Sequence, residues 1–220
     1  MIKIFVRMMV VLSLGVLSLH AGFKEKQEVT TVISIIKNPN MKIPKKILKN
    51  AKAIAIIPNL KYGGLIFGAT YGHGILTIRG ENGWSDPSFI TFRSINFGLR
   101  AGVSSSDVVL VFENARALDG ITDGKATISL SVGAVIVKNG SAKGIKTDGE
   151  LSAKIYLFSK SSGLELNYAS LSGGNLYIDD DSNDKYYDSV VKTDYLLEGV
   201  RRSRDKQVLK FLNTISAFTN

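Results

Sequence analysis

The spacing of apolar residues changes its period along this chain. Val29, Val32, Ile33 and Ile36 recur at three- and four-residue intervals, and Ile43, Ile47, Ala51 and Ile54 do so again after a break at Asn38-Pro39-Asn40. Both stripes predict helices, and Pro44 suits the first turn of the second. From Ile54 onward the pattern is mostly that of strands. These are predicted over Leu65–Tyr71, Gly74–Arg79, Ser88–Phe92, Asn96–Val103, Val108–Phe112, Thr127–Val137, Lys154–Phe158 and Asn175–Ile178, separated by Gly, Asn, Asp and Ser turns. Helical spacing returns over Asp194–Phe218, where Leu196, Leu197, Val200, Leu209, Leu212 and Ile215 surround the cluster Arg201, Arg202 and Arg204. The pattern predicts an α+β fold: a curved or barrel-like antiparallel sheet with N-terminal helices and a C-terminal helix.

Glycine refines that picture. Gly63, Gly64, Gly68, Gly72, Gly74, Gly80 and Gly83 all fall among strand-forming residues. Glycine inside a strand costs entropy and packs nothing, so its repeated use implies bulges, bends or close backbone approach, hence strong curvature. A nucleotide cradle is not indicated. No G-x-G-x-x-G opens a helix, and Gly120-Ile121-Thr122-Asp123-Gly124-Lys125-Ala126 has the wrong spacing and no hydroxyl after its lysine.

The first 21 residues have a basic start (Lys3, Arg7), an apolar stretch from Met8 to Leu19 and a small residue, Ala21, which together read as a secretory signal cleaved after Ala21. The apolar stretch is shorter than the roughly 20 residues a bilayer span needs. Residues 22–220 then form a single domain, long enough to bury about 70% of its unfolded surface around one core. Cysteine is absent, which excludes disulfides, thiolate metal sites, thiol nucleophiles and a lipid-bearing cysteine. The expected location is the bacterial periplasm, with any membrane attachment peripheral.

Charge is distributed unevenly. The chain carries 28 basic and 19 acidic residues, a net charge of +9. Residues 22–61 hold nine lysines against Glu25 and Glu28, a net of +7, whereas residues 62–220 hold 17 basic and 17 acidic residues. Lys45, Lys49 and Lys52 follow one helical face, flanked by Lys42 and Lys46, beside the stripe that begins at Ile43. Lysines next to an apolar helix face suit an anionic membrane surface, with ammonium groups at phosphates and aliphatic side chains below them. The alternative is a helix docked on the core with its lysines merely solvated. Nucleic acid is not expected as a partner, because these lysines are not interleaved with aromatic residues and the leader exports the chain.

Candidate catalytic chemistry is sparse. His73 is the only histidine after the leader, so neither a multi-histidine metal site nor a histidine-based nucleophile can be assembled, and a structural or turn role is expected for it. The run Asp179-Asp180-Asp181-Ser182-Asn183-Asp184 lacks the glycine and terminal glutamate of a calcium loop and reads as a solvated turn. The S-x-x-K matches at Ser34 and Ser203 lack companion motifs. No enzyme, metal or cofactor is expected.

One ordered series of elements is more specific. Ile43-Pro44, the Ala-rich segment Ala51–Pro58, Lys61 with Gly63 and Gly64, the Gly-rich stretch from Gly68 to Arg79, and Gly83-Trp84-Ser85-Asp86-Pro87-Ser88 together resemble the SYLF domain family. The likeness runs on through Gly98, Gly102, Ser106–Val111, Gly124-Lys125, Gly133-Ala134 and Ser161–Leu164, and so covers Val29 to Tyr187. It departs at Arg100, where the family has Gln, and at Glu165 and Asn167, where an aromatic residue and Gly are preferred. SYLF domains are phospholipid-binding modules, with phosphoinositides as ligands in eukaryotic members. The resemblance therefore implies that Lys42, Lys45, Lys46, Lys49, Lys52 and Lys61 attract anionic headgroups, with Ile43 and Ile47 inserting or packing inward. The competing expectation is a structural or protein-interaction module of the envelope.

Overall fold

The computed structural model describes residues 23–65, 67–97, 102–113, 127–129, 134–138, 141–143, 155–163, 174–190 and 203–220. Helix α1 (Phe23–Ile36) and the short α2 (Lys45–Asn50) precede strands β1 (Ala53–Gly64), β2 (Phe67–Gly80), β3 (Gly83–Trp84), β4 (Ser88–Phe97) and β5 (Gly102–Phe112). They are followed by β6 (Thr127–Ser129), β7 (Ala134–Lys138), β8 (Ser141–Lys143), β9 (Ile155–Gly163), β10 (Asn175–Ile178), α3 (Asp180–Tyr187) and α4 (Lys206–Thr219).

This is the expected α+β class. The strands run β6-β10-β4-β2-β1-β5-β9-β7-β8, with β3 paired to β2 alone. Every pairing is antiparallel except β7 with β9, and β6 and β8 do not meet among the described residues. The curvature is real all the same. One face buries Ile57, Leu60, Tyr62, Leu76, Ile90, Phe92, Leu110, Phe112, Leu157 and Leu176 in a cluster drawn from strands only, as a sheet curled around its own side chains would give. The opposite face buries Ile54, Ile56, Ile75, Phe89, Val109, Val111 and Phe158 beneath Val29, Val32, Ile33 and Ile36 of α1 and Val208, Phe211, Leu212 and Ile215 of α4. The first stripe read from the sequence thus lies against one side of the sheet, and of the C-terminal stripe Leu212 and Ile215 do so, whereas Leu209 is half-buried outside this cluster and Val208 and Phe211 take the inward positions.

Four expectations need correction. The second helix does not reach Ile54: it ends at Asn50, and Ile54 pairs with Thr77 of β2 and Val111 of β5. A run rich in β-branched residues, with a partner strand on each side, overrides helical spacing. Two predicted strands fuse into the 14-residue β2. The predicted strand Asn96–Val103 contains the end of β4 and the start of β5, with residues 98–101 outside the described set. The aspartate run is not a turn but the first part of α3, whose Ser182 backbone N–H donates to the Asp179 side chain (3.1 Å), with Asp180 and Asp181 in the first turn. The proposed leader, the near-miss loop at 120–126 and most of the arginine cluster lie outside the described residues, and the C-terminal helix is described from Lys206 onward.

Glycine acts at a specific defect. The register of β1 shifts between Ile56 and Lys61, Asn59 adopts φ +48°, and its N–H donates to Asp107 (3.1 Å). Across this bulge a Cβ on Gly74 would collide with the Ile56 carbonyl oxygen and lie 2.9 Å from Ile57 Cα. Only glycine lets β2 approach that backbone.

The Gly-Trp-Ser-Asp-Pro-Ser element ties the helices to the sheet. The Trp84 indole N–H donates to Thr219 of α4 (3.1 Å), Asp86 accepts from the Ser203 N–H (2.8 Å), the Pro87 carbonyl accepts from Tyr187 (2.6 Å), and Asn183 accepts from the Phe89 N–H (2.8 Å). The motif that makes the sequence recognisable is architectural.

Candidate functional site

The six lysines fall into two groups. Lys45, Lys46 and Lys49 lie on α2, Lys42 just before it and Lys52 just after it, and all five are exposed. The apolar side of this segment is occupied: Leu48 and Ala51 are buried, and Ile43 and Ile47 pack on the core cluster beneath α1 and α4. The two isoleucines therefore pack inward. Arg79 fixes the end of α2, donating to the Lys49 carbonyl (2.8 Å) and the Leu48 carbonyl (3.4 Å) with its guanidinium 4.5 Å from the Trp84 ring centre. A cation there satisfies terminal carbonyls and complements the helix dipole.

Lys61 is elsewhere. It lies nine residues of strand beyond Lys52, at most about 30 Å away at the rise of a β-strand, near the end of β1 where the sheet turns back on itself. Neither group is joined by an ion pair to a described carboxylate.

Around Lys61 the sheet presents a second arrangement. Its register aligns Lys61 with Tyr71, Tyr71 with Arg93, and Lys61 with Ser105 across four strands. Two residues farther out, Gly63 aligns with Ala69 and Val103, and Ala69 with Ile95. Beyond these come Leu65 and Phe67. Leu65 is 68% exposed, Phe67 60%, Ile95 76% and Val103 78%. A groove of about 590 Å³ runs along Lys61, Tyr62, Gly63, Ala69, Tyr71 and Val103. Arg93 lies 5.8 Å from both the Tyr71 and the Tyr177 ring centres.

A more polar cavity of about 280 Å³ adjoins it, sharing Lys61 and Tyr71 and reaching Lys24, Glu28 and Thr31 of α1. His73 also lines it. Its Nε2 lies 2.7 Å from the Tyr71 hydroxyl, and its Nδ1 lies 3.2 Å from the Thr91 hydroxyl and 3.8 Å from Asp179. Burial, with help from Lys24, holds the imidazole below its ordinary pKa in spite of Asp179. Burial also pushes the Glu28 carboxyl up to about 7, against Lys24 and with Asp179 and Glu25, and its Oε1 is buried with no hydrogen-bond partner. His73 is thus a mid-strand residue clamped by two hydroxyls, a structural role but not a turn.

The exposed apolar residues at this end were not singled out by periodicity, although the sequence carries a signal. Leu65-Ile66-Phe67 stands between Gly64 and Gly68, where a strand connection ordinarily uses polar turn residues.

Comparison with known proteins places these features in a family. The family model Ysc84, described as Las17-binding protein actin regulator, matches residues 93–218, more than half of the chain. SH3 domain-containing YSC84-like protein 1 from Xenopus laevis is 30% identical over 162 residues, 71% of this chain and 47% of its own length. The Homo sapiens protein of that name is 29% identical over 174 residues, 77% of this chain and 49% of its own. Protein YSC84 from Saccharomyces cerevisiae is 30% identical over 163 residues, 71% of this chain and 34% of its own. The chain spans about half the length of the first two and about a third of the yeast protein. On the extent of that match, this chain belongs to the SYLF (Ysc84) domain family, described in terms of binding and actin regulation rather than catalysis.

Proposed function

We propose that this protein binds anionic phospholipid surfaces without catalysing a reaction, and that its leader sequence directs it to the bacterial envelope. The observation that supports this most directly is the basic segment around α2. Five lysines are exposed on an element held rigidly from below by Ile43, Ile47, Leu48 and Arg79, so their ammonium groups are left to solvent or to an external anion. At about 1 kcal/mol per lysine near an anionic surface, four or five of them contribute about 4–5 kcal/mol, which corresponds to affinity near the millimolar range. Binding by this segment alone is then weak, reversible and salt-sensitive.

Vesicle flotation tests the reading. The purified protein is expected to float with vesicles containing phosphatidylglycerol at low salt and not with pure phosphatidylcholine. The variant Lys45→Glu/Lys49→Glu/Lys52→Glu is expected to lose most of that binding while keeping its melting temperature. Equal recovery on neutral and anionic vesicles would reject a charge-driven mechanism.

The family description favours a second reading, a protein-interaction module whose lysines meet an acidic partner. On that reading the charge-reversed variant loses a protein partner and its vesicle binding is unchanged. Actin regulation is a property in the name of the family model and is not carried over to an exported chain.

A further inference from the structure

We propose that the sheet end formed by the tip of the β1–β2 hairpin and the adjoining ends of β4 and β5 is the part of the molecule that enters the lipid, a proposal that rests on the function proposed above and places its apolar contact at the end of β1 remote from α2, whose lysines then attract the surface from a distance. A surface that binds by lysines alone is weak, and the isoleucines nearest those lysines are already committed to the core. Of the eight large exposed apolar side chains among the described residues, six gather instead towards the opposite end of β1, the exceptions being Phe23 and Val190.

There the order of residues along the strands matches the layers of a membrane interface. Outermost are Leu65 and Phe67, followed by Ile95 and Val103 flanking the small Gly63 and Ala69. Next comes Tyr71 with Lys61 and Arg93 beside it, and one row farther in Tyr177, which aligns with Thr91 and whose ring Arg93 also approaches; both tyrosines are partly exposed. Successive layers on one sheet face are two residues apart, about 7 Å. Aliphatic and phenyl groups therefore reach about 7–13 Å beyond the tyrosine and cation row, comparable to the depth at which interfacial elements bury apolar groups. Tyrosines favour the headgroup level, where the ring is apolar and the hydroxyl wet, and Lys and Arg meet the phosphates.

Charge selects the kind of surface. Residues 61–72, 93–97 and 102–106, which build this end of the sheet, contain Lys61 and Arg93 and no carboxylate. These segments thus offer cations to anionic lipid and no carboxylate that it would repel. The groove of about 590 Å³ behind Val103 and Tyr71 gives a lipid chain or glycerol backbone apolar wall to lie against.

The absence of cysteine allows a direct test. Val103→Cys and, separately, Lys49→Cys are labelled with an environment-sensitive nitrobenzoxadiazole dye and mixed with phosphatidylglycerol-containing vesicles, with and without brominated acyl chains. The label at 103 is expected to shift to the blue and to be quenched by bromine, whereas the label at 49 stays in a water-like environment. The variant Leu65→Glu/Ile95→Glu/Val103→Glu, altered only at exposed positions, is expected to partition at least tenfold more weakly at every salt concentration with an unchanged melting temperature.

If the protein floats and the label at 103 remains water-like, the tip proposal is overturned while the basic-segment reading stands. A blue shift that needs only higher protein concentration and no vesicles would identify a second copy of the chain as the occupant and overturn it as well. Failure of the unaltered protein to float on any anionic vesicle would remove the underlying function itself.

Discussion

The two ends of β1 both carry positive charge, five lysines at one and Lys61 with Arg93 at the other, and they have opposite apolar arrangements. At the α2 end, Ile43, Ile47, Leu48 and Ala51 face inward and the lysines alone face out. At the hairpin end, Lys61 and Arg93 accompany Leu65, Phe67, Ile95 and Val103, all exposed. The first arrangement can attract a charged surface from a distance, and only the second can also bury apolar area in it. A net charge of +7 over residues 22–61 does not by itself locate a binding face, because the element that carries most of it has used its apolar residues to dock on its own protein.

The largest expected effect tests how firmly the α2 end is built. Trp84 is buried, hydrogen-bonded to Thr219, and stacked beneath the Arg79 guanidinium that holds the carbonyls of Leu48 and Lys49. Trp84→Ala is expected to destabilise the fold by about 3–5 kcal/mol, the range for removing a buried aromatic side chain. Trp84→Phe keeps the ring stack, loses the hydrogen bond and is expected to cost about 1–2 kcal/mol. Denaturant titration measures both. A cost below 1 kcal/mol for the alanine variant would mean that α2 does not depend on this platform.

The sequence made the helical stripes, the strand-rich middle and the glycine-driven curvature legible because each rests on local periodicity or on a backbone requirement. Ile54 was misassigned because its helical spacing from Ile47 is local, whereas its partners Thr77 and Val111 are more than 20 residues away in sequence. The same limit hid the hairpin end. Ile95 and Val103 gain meaning only from the register that sets Ile95 beside Ala69 and Ala69 beside Gly63, with Val103 on its far side. The lysines were legible as a composition. Their division by the length of β1 was not, since Lys52 and Lys61 are close in sequence and far apart on an extended strand.

Acidity separates the two ends next. Glu28, in the cavity beside Lys61 and Tyr71, has a folded pKa of about 7 against an ordinary value of 4.5. Because the folded value is the higher one, the folded state holds the proton more tightly. The favourable contribution is complete below pH 4.5 and is lost as pH rises through about 7. The loss amounts to about 3 kcal/mol. His73 acts in the reverse direction, since its folded pKa is depressed and stability falls as pH drops below about 6.5. Glu28→Gln isolates the first effect. Its unfolding free energy is expected to change less than that of the unaltered protein between pH 5 and pH 8, and two parallel profiles would show that burial of this carboxyl has no energetic consequence.

The smallest effect is the most direct measure of the contrast, because one chemical change is made at both ends. Ile47→Glu puts a carboxylate where a half-buried isoleucine packs against the core, and it should cost about 2 kcal/mol in lost burial and partial desolvation of charge. Val103→Glu makes the same change at a side chain 78% exposed on a strand, and it should alter stability by no more than about 0.5 kcal/mol. On vesicles the order reverses. Ile47→Glu offsets one of five nearby lysines and should weaken anionic-vesicle binding only about threefold to tenfold, with a shallower salt dependence. Val103→Glu should weaken it more, because it removes an apolar contact and also brings a carboxylate to the anionic surface. Urea unfolding and flotation across a salt series measure the four quantities together. If both variants lose stability equally, or if Ile47→Glu weakens vesicle binding more than Val103→Glu does, the two ends are not the distinct surfaces that their exposed residues describe.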